Sequence, residues 1–188
     1  VLLQNKEFYH KIAVPPKEKK YVLLYDVMEK ARDSIIHAHR FAQANGLELI
    51  EITDRIENAF IPEGTWHKTL YDIGVEEWLG YIENAEYVFT NSFHACCFSI
   101  IFEKEFFVGN RDGDKIDHLL ESFGLTWRRL TPRDDLTRKF EKIDYEPVRS
   151  LLEQKKKASA AYILSAIQAV EKKRERVADQ AEGTDSET

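Results

Sequence analysis

The sequence predicts an α/β fold with a doubly wound, mainly parallel sheet, and three observations carry that expectation. Residues 21–25 (YVLLY) form a continuous apolar run of strand length, the composition of a strand covered on both faces in the middle of a parallel sheet. A helical pattern over residues 28–45, stopped by Gly46, leads into the alternating run 47–52 (LELIEI), so strand, helix and strand follow in the order of a crossover unit. Residues 86–107 (EYVFTNSFHACCFSIIFEKEFF) repeat the arrangement: a short apolar strand, a break at Thr90-Asn91-Ser92, a mostly apolar helix, and a return to strand composition.

The segments around this frame follow in order. Residues 1–19 are a short apolar and aromatic stretch, the Pro15-Pro16 pair and a charged run, read as a connector arriving from an upstream lobe. The domain is expected over 20–130. Residues 53–74, with Pro62, Gly64 and Gly74 and no clear period, read as a long loop of the kind that often carries function. Residues 75–84 place Val75, Trp78, Leu79 and Ile82 on one face of a short helix. After the central block, 105–109 (EFFVG) reads as a fourth strand. Residues 115–123 read as an amphipathic helix with Ile116, Leu119, Leu120 and Phe123 inward, stopped by Gly124, and 127–130 as a short last strand. A linker and a long helix that starts near Pro147 and packs on the domain are expected over 131–177. The small, polar and acidic tail 178–188 is expected to be disordered.

Composition narrows the function. A chain of 188 residues that is 43% hydrophobic holds one domain with a real core plus extensions. No apolar run approaches the roughly 20 residues of a membrane span. A net charge of −6, with 27 basic and 33 acidic residues intermixed, lacks the basic face of a nucleic-acid binder. Cys96 and Cys97 are adjacent within an apolar helix, which suits neither a disulfide framework nor metal-ligand spacing, and a reducing, cytoplasmic setting is expected. The chain opens without Met or a signal peptide and is expected to be a piece of a longer protein.

The best functional lead is His94. It falls in the first turn of the helix after Thr90, at the carboxyl end of a strand, where free amides and the helix dipole favour an anionic ligand. An imidazole there suits proton transfer, because it titrates near the operating pH. Asn91 and Ser92 are candidates both for the helix cap and for binding the substrate anion at that helix start, and Ser92 has no nucleophile elbow around it. Arg111, Lys115, Arg128 and Arg129 lie on or near the loop after the fourth strand, where an arginine fork or a lysine ammonium can hold phosphate or carboxylate. The acidic group Asp112, Asp114 and Asp117 lacks a calcium-loop pattern, so no metal is expected. There is no dinucleotide fingerprint or Walker loop.

These residues carry a resemblance. The block Trp78-Leu79, Ile82, Asn84-Ala85, Tyr87-Val88, Thr90-Asn91-Ser92-Phe93-His94, Phe98-Ser99-Ile100-Ile101-Phe102, Lys104 and Phe106 resembles the C-terminal half of the polysaccharide pyruvyl transferase family. Residues 21–26, Leu119-Leu120, Gly124-Leu125, Arg128, Ser159 and Ile163-Leu164 add to it, so that it runs from Val1 to about Ile167. The resemblance implies one Rossmann-like lobe of a GT-B-like, two-lobed fold. It also implies transfer of pyruvyl from phosphoenolpyruvate onto a sugar of a cell-surface glycan precursor, as in exopolysaccharide biosynthesis for the cell envelope, with no cofactor besides that donor substrate. Its partners would be phosphoenolpyruvate, a saccharide acceptor and an N-terminal lobe upstream. His94 takes the place of the family's motif histidine, a general acid or base, and Lys115 that of a basic residue before the Leu-Leu pair.

Two departures from the pattern stand out. Better-known members read Arg-x-His-Gly where this chain has Ser92-Phe93-His94-Ala95, and the N-terminal lobe is absent from the sequence. The chain alone is therefore expected to be inactive, since one wall of a cleft has little means of orienting two substrates. A nucleotide-sugar-dependent glycosyltransferase lobe and a non-catalytic glycan-binding module are the alternatives.

Overall fold

The computed structural model describes residues 2–27, 32–53, 67–109, 113–137 and 140–182. The chain divides into two compact units, Val1–Val148 and Arg149–Thr188. The first is an α/β domain around a five-stranded sheet: β1 (Tyr21–Tyr25), β2 (Glu48–Ile52), β3 (Lys68–Leu70), β4 (Tyr87–Thr90) and β5 (Glu105–Val108). The spatial order is β3-β2-β1-β4-β5 and every pairing is parallel, so the sheet is doubly wound outward from β1. As its apolar run predicts, β1 is central, with Tyr21, Val22, Leu23 and Leu24 buried.

Helices cover the two faces. α2 (Arg32–Asn45) lays Ile35, Ala38, Phe41 and Ala42 over Val22, Leu24, Leu49, Phe89 and Phe107. On the opposite face α3 (Val75–Asn84) meets β1 through the edge-to-face pairs Tyr21–Tyr81 and Tyr25–Trp78. α4 (Phe93–Ile101) is buried from Ala95 onward, and Trp78 meets its Phe98 with ring centroids 5.3 Å apart. α5 (Lys115–Ser122) buries Ile116, Leu119 and Leu120, and Gly124, with φ of 67°, ends its turn as the sequence predicts.

Three expectations change. The stretch read as a connector contains a helix, α1 (Lys6–Ile12), capped by Asn5, whose side chain accepts from Phe8 N at 2.9 Å. The stretch read as a loop holds the short edge strand β3, while residues 54–66 lie outside the described residues. Residues Thr126–Arg128 form a 3₁₀ turn instead of a strand, leaving only a single bridge between Val108 and Arg129. Within the linker, Phe140 packs among Phe41, Tyr87 and Phe107, and Ile143 N donates to Glu105 at 3.0 Å.

The last helix, α6 (Tyr145–Glu182), begins in the first unit and makes up the described part of the second. It runs past the expected end near Val177. In the second unit Tyr162, Ile163, Leu164, Ile167 and Val170 are exposed.

Candidate functional site

In a doubly wound sheet the strand order reverses at one point, and there the loops leave in opposite directions and open a crevice. Here that point lies between β1 and β4, because β1 continues towards β2 on one side and pairs with β4 on the other. Among the described residues a cavity of about 870 Å³ occupies this edge, and the carboxyl ends of all five strands contribute to it. Tyr25, Asp26 and Val27 follow β1, Ile52 and Thr53 end β2, and Tyr71 follows β3. Ser92, Phe93 and His94 follow β4, and Gly113, Asp114 and Lys115 follow β5.

The exits of β1 and β4 are braced together by short polar side chains. Thr90 Oγ1 donates to Tyr25 O and accepts from Ser92 N at 3.0 Å. Asn91 Oδ1 accepts from Val27 N at 2.7 Å, and Asn91 Nδ2 donates to Val27 O at 3.3 Å. The TNS break is thus a clamp on the neighbouring strand as much as a helix start. Of the two cap candidates, Ser92 is the cap, accepting from Ala95 N at 3.5 Å, while Asn91 is the clamp.

His94 stands in the first turn of α4, exposed, and lines the cavity. The helix starts facing this space differ in how they are already occupied. α3 carries Glu76 and Glu77 in its first turn, and the Glu77 carboxylate accepts from Gly74 N at 2.7 Å. α5 carries Asp117, which pairs with Arg129 at 3.0 Å. α4 has no acidic side chain in its first turn, so apart from the Ser92 hydroxyl on Ala95 N no side chain of that turn answers the positive end of its dipole, which favours an anion from outside. Lys115, exposed at the start of α5, adds a positive charge to the same cavity.

The other basic candidates part company. Arg111 lies outside the described residues. Arg128 is fully buried away from the cavity, paired with Glu105 at 2.5 Å, donating to the carbonyls of Phe106 and Glu141 at 3.4 and 3.0 Å, and packed over the Trp127 and Phe107 rings. Desolvation lowers its affinity for a proton and Glu105 opposes that. It is therefore a structural cation, and the expectation that it binds substrate anions is corrected. Both cysteines are buried. Burial raises the Cys96 thiol well above its usual range and pushes Cys97 up to about 12, which leaves neither as a nucleophile at neutral pH.

Sequence reasoning passed over Asp26 and Trp78, although both line the cavity. Asp26 had a signal, since the first polar residue after an apolar parallel strand falls at the carboxyl edge where ligands bind. Trp78 had none, because its helical spacing is equally that of a core residue.

Comparisons with known proteins agree with this architecture. A family model described as polysaccharide pyruvyl transferase matches residues 1–112. No curated protein matches the sequence. A solved structure described as the glycotransferase of kitacinnamycin superposes with a TM-score of 0.53 at 12% identity. The superposition covers 81% of this chain and 44% of that one, and at such identity it speaks for the fold alone.

Proposed function

The chain belongs to the polysaccharide pyruvyl transferase family, and we propose that it forms the C-terminal lobe of an enzyme that transfers pyruvyl from phosphoenolpyruvate to a sugar of a cell-surface glycan precursor. The observation that carries this reading is the exposed His94 on the cavity at the start of α4, whose first turn holds no carboxylate, with the Lys115 ammonium in the same space.

In the reaction two acceptor hydroxyls bond to C2 of phosphoenolpyruvate and the bond from C2 to the phosphate oxygen breaks. The methylene takes up one proton to become a methyl, and the second hydroxyl proton leaves with inorganic phosphate. His94 moves a proton at the reacting carbons, while Lys115 and the amides of the α4 first turn hold the phosphate and carboxylate. Ser92 and Asn91 support the site, Ser92 by capping α4 and Asn91 by clamping Val27. Arg111 is a further anion-binding candidate. No cofactor is needed in this scheme, because the donor carries its own leaving group. The acceptor is held jointly with an N-terminal lobe, and the setting is cytoplasmic.

Thermal unfolding with added phosphoenolpyruvate tests the reading on wild type and His94→Ala. A ligand that binds only the folded state raises the melting temperature with its concentration. The expected result is a shift in wild type that fades in the variant. In the two-lobed protein the variant's turnover is expected to fall about a hundred-fold or more, the usual loss for a general acid or base. Wild-type turnover in that variant sinks the proposal. A second reading is a nucleotide-sugar glycosyltransferase lobe, which would keep the fold shared with the structure described as a glycotransferase and change the donor. A shift with UDP-sugars and none with phosphoenolpyruvate would select it.

A further inference from the structure

The second unit joins positive charge to exposed apolar surface. Residues 155–176 hold seven basic side chains and two acidic ones, in a chain whose net charge is −6. Most of the bases come in two groups, Lys155-Lys156-Lys157 and Lys172-Lys173-Arg174, and residues 158–170 between them are uncharged. Lys157, Lys172, Lys173 and Arg174 are exposed, while Lys156 pairs with Glu153 at 2.8 Å. The acids Asp179, Glu182, Asp185 and Glu187 come after this segment. Within the uncharged stretch Tyr162, Ile163, Leu164, Ile167 and Val170 are each at least 43% exposed. At 3.6 residues per turn, Ile163, Ile167 and Val170 run along one face of α6 with Tyr162 and Leu164 to either side, and Lys157, Ser165, Gln168 and Lys172 lie opposite.

The partner that fits must answer both features at once. A nucleic acid would meet the bases but leave five large apolar side chains in water. A second copy of this helix could cover the apolar face, but it would set base against base in either direction: parallel pairing places each basic group beside itself, and antiparallel pairing places 155–157 beside 172–174. Like charges brought together across an interface are costly. A bilayer rich in anionic lipid offers negative headgroups at its surface and hydrocarbon just beneath, which is the arrangement a basic amphipathic helix takes up. Spanning is excluded by length, since residues 158–170 rise only about 20 Å against a hydrocarbon core of about 30 Å. No described helix is long and apolar enough to cross a membrane.

We propose that α6 is a membrane-surface anchor: residues 155–176 lie in the plane of an anionic lipid bilayer, with Ile163, Ile167 and Val170 in the acyl boundary and the lysines and Arg174 among the headgroups. The proposal goes beyond the transfer reading and does not rest on it, because none of these residues lines the cavity at the carboxyl edge. Binding of this kind is reversible. It depends on two contributions, apolar burial and attraction to the surface charge, and each can be removed separately.

The test is co-sedimentation of the full chain with phosphatidylcholine vesicles, with and without about one-third phosphatidylglycerol, a charge density that attracts basic segments. Wild type is expected to pellet with the anionic vesicles, far less with the neutral ones, and less as salt is raised. Ile163→Gln with Ile167→Gln keeps good helix formers on the exposed face and is expected to lose ten-fold or more in lipid affinity. Lys172→Gln with Lys173→Gln is expected to lose about five-fold per lysine and to flatten the salt dependence. Both double variants should keep the wild-type melting temperature, because the altered side chains are exposed. Three results overturn the proposal: no binding to anionic vesicles, equal binding to neutral ones, or wild-type lipid affinity in both variants. Sedimentation velocity without lipid supplies a fourth. A dimer that dissolves in the isoleucine variant gives the apolar face to a second copy and overturns the anchor. The phosphoenolpyruvate response is read on the same samples, so the anchor and the transfer reading stand or fall separately.

Discussion

The flanks of the sheet and its carboxyl end both hold charged and polar residues, yet they handle them in opposite ways. On the flanks several charged groups are paired within the domain. Arg128 is spent on Glu105 and two carbonyls, and Glu51 accepts from His67, whose other ring nitrogen meets His39, both at 2.9 Å. Glu18 takes hydrogen bonds from Lys68 and Tyr81. At the carboxyl end, His94 and Lys115 are exposed and face a cavity. Polar residues satisfied internally hold the fold in register, whereas those facing an open crevice are available to a ligand.

The contrast breaks most visibly at Arg128. Truncation to alanine leaves one oxygen of the Glu105 carboxylate without its cation and empties the space between Trp127 and Phe107. A loss of about 3–5 kcal/mol is expected, read as an earlier midpoint in urea denaturation. Next comes Gly80 on α3, where an added Cβ would stand 1.8 Å from the carbonyl oxygen of Val14. Gly80→Ala is expected to cost about 1–3 kcal/mol through overpacking, measured in the same way, because backbone must move.

A smaller and conditional effect belongs to the buried histidines. Burial, and then the neighbouring His67, hold His39 below the ordinary imidazole range, with Glu51 opposing. The folded state therefore prefers His39 neutral. Its contribution is complete above the unfolded value of about 6.5 and is lost as pH falls towards the lower folded value. The melting temperature is expected to fall on that acid limb, and His39→Leu to flatten it. The smallest effect sharpens the comparison from the other side: His94→Ala should leave the melting temperature of the unliganded chain unchanged while removing the phosphoenolpyruvate response.

The frame of the domain was legible because its period and burial agree. The YVLLY run is β1 to the residue, and the helix read over 75–84 is α3, since Leu79 and Ile82 mark an apolar face that is in fact covered. α1 escaped because none of its residues is buried and its main signal is the Asn5 cap. β3 escaped because three half-buried residues paired only to β2 show no alternation. The 127–130 stretch (WRRL) is bounded by apolar residues but does not alternate, and its Arg128 turns inward to a carboxylate 23 residues earlier in the chain. No local pattern records that partner. The same holds for the site. His94 was visible from its place after a strand, whereas the fate of Arg128 depended on a distant residue and could only be read in three dimensions.

The central position of β1 also bears on how the chain acquires its structure during synthesis. β1 precedes the other strands of the sheet in sequence, and its β2-facing edge can pair as soon as residues 48–52 emerge. Its other edge waits for Tyr87–Thr90, the partner across the switch point. In that interval the ribosome-bound chain carries a strand that is apolar on both sides with one edge open, the kind of surface to which other strands add. Quality-control binding, if it occurs, should therefore concentrate on nascent chains that end between these two strands.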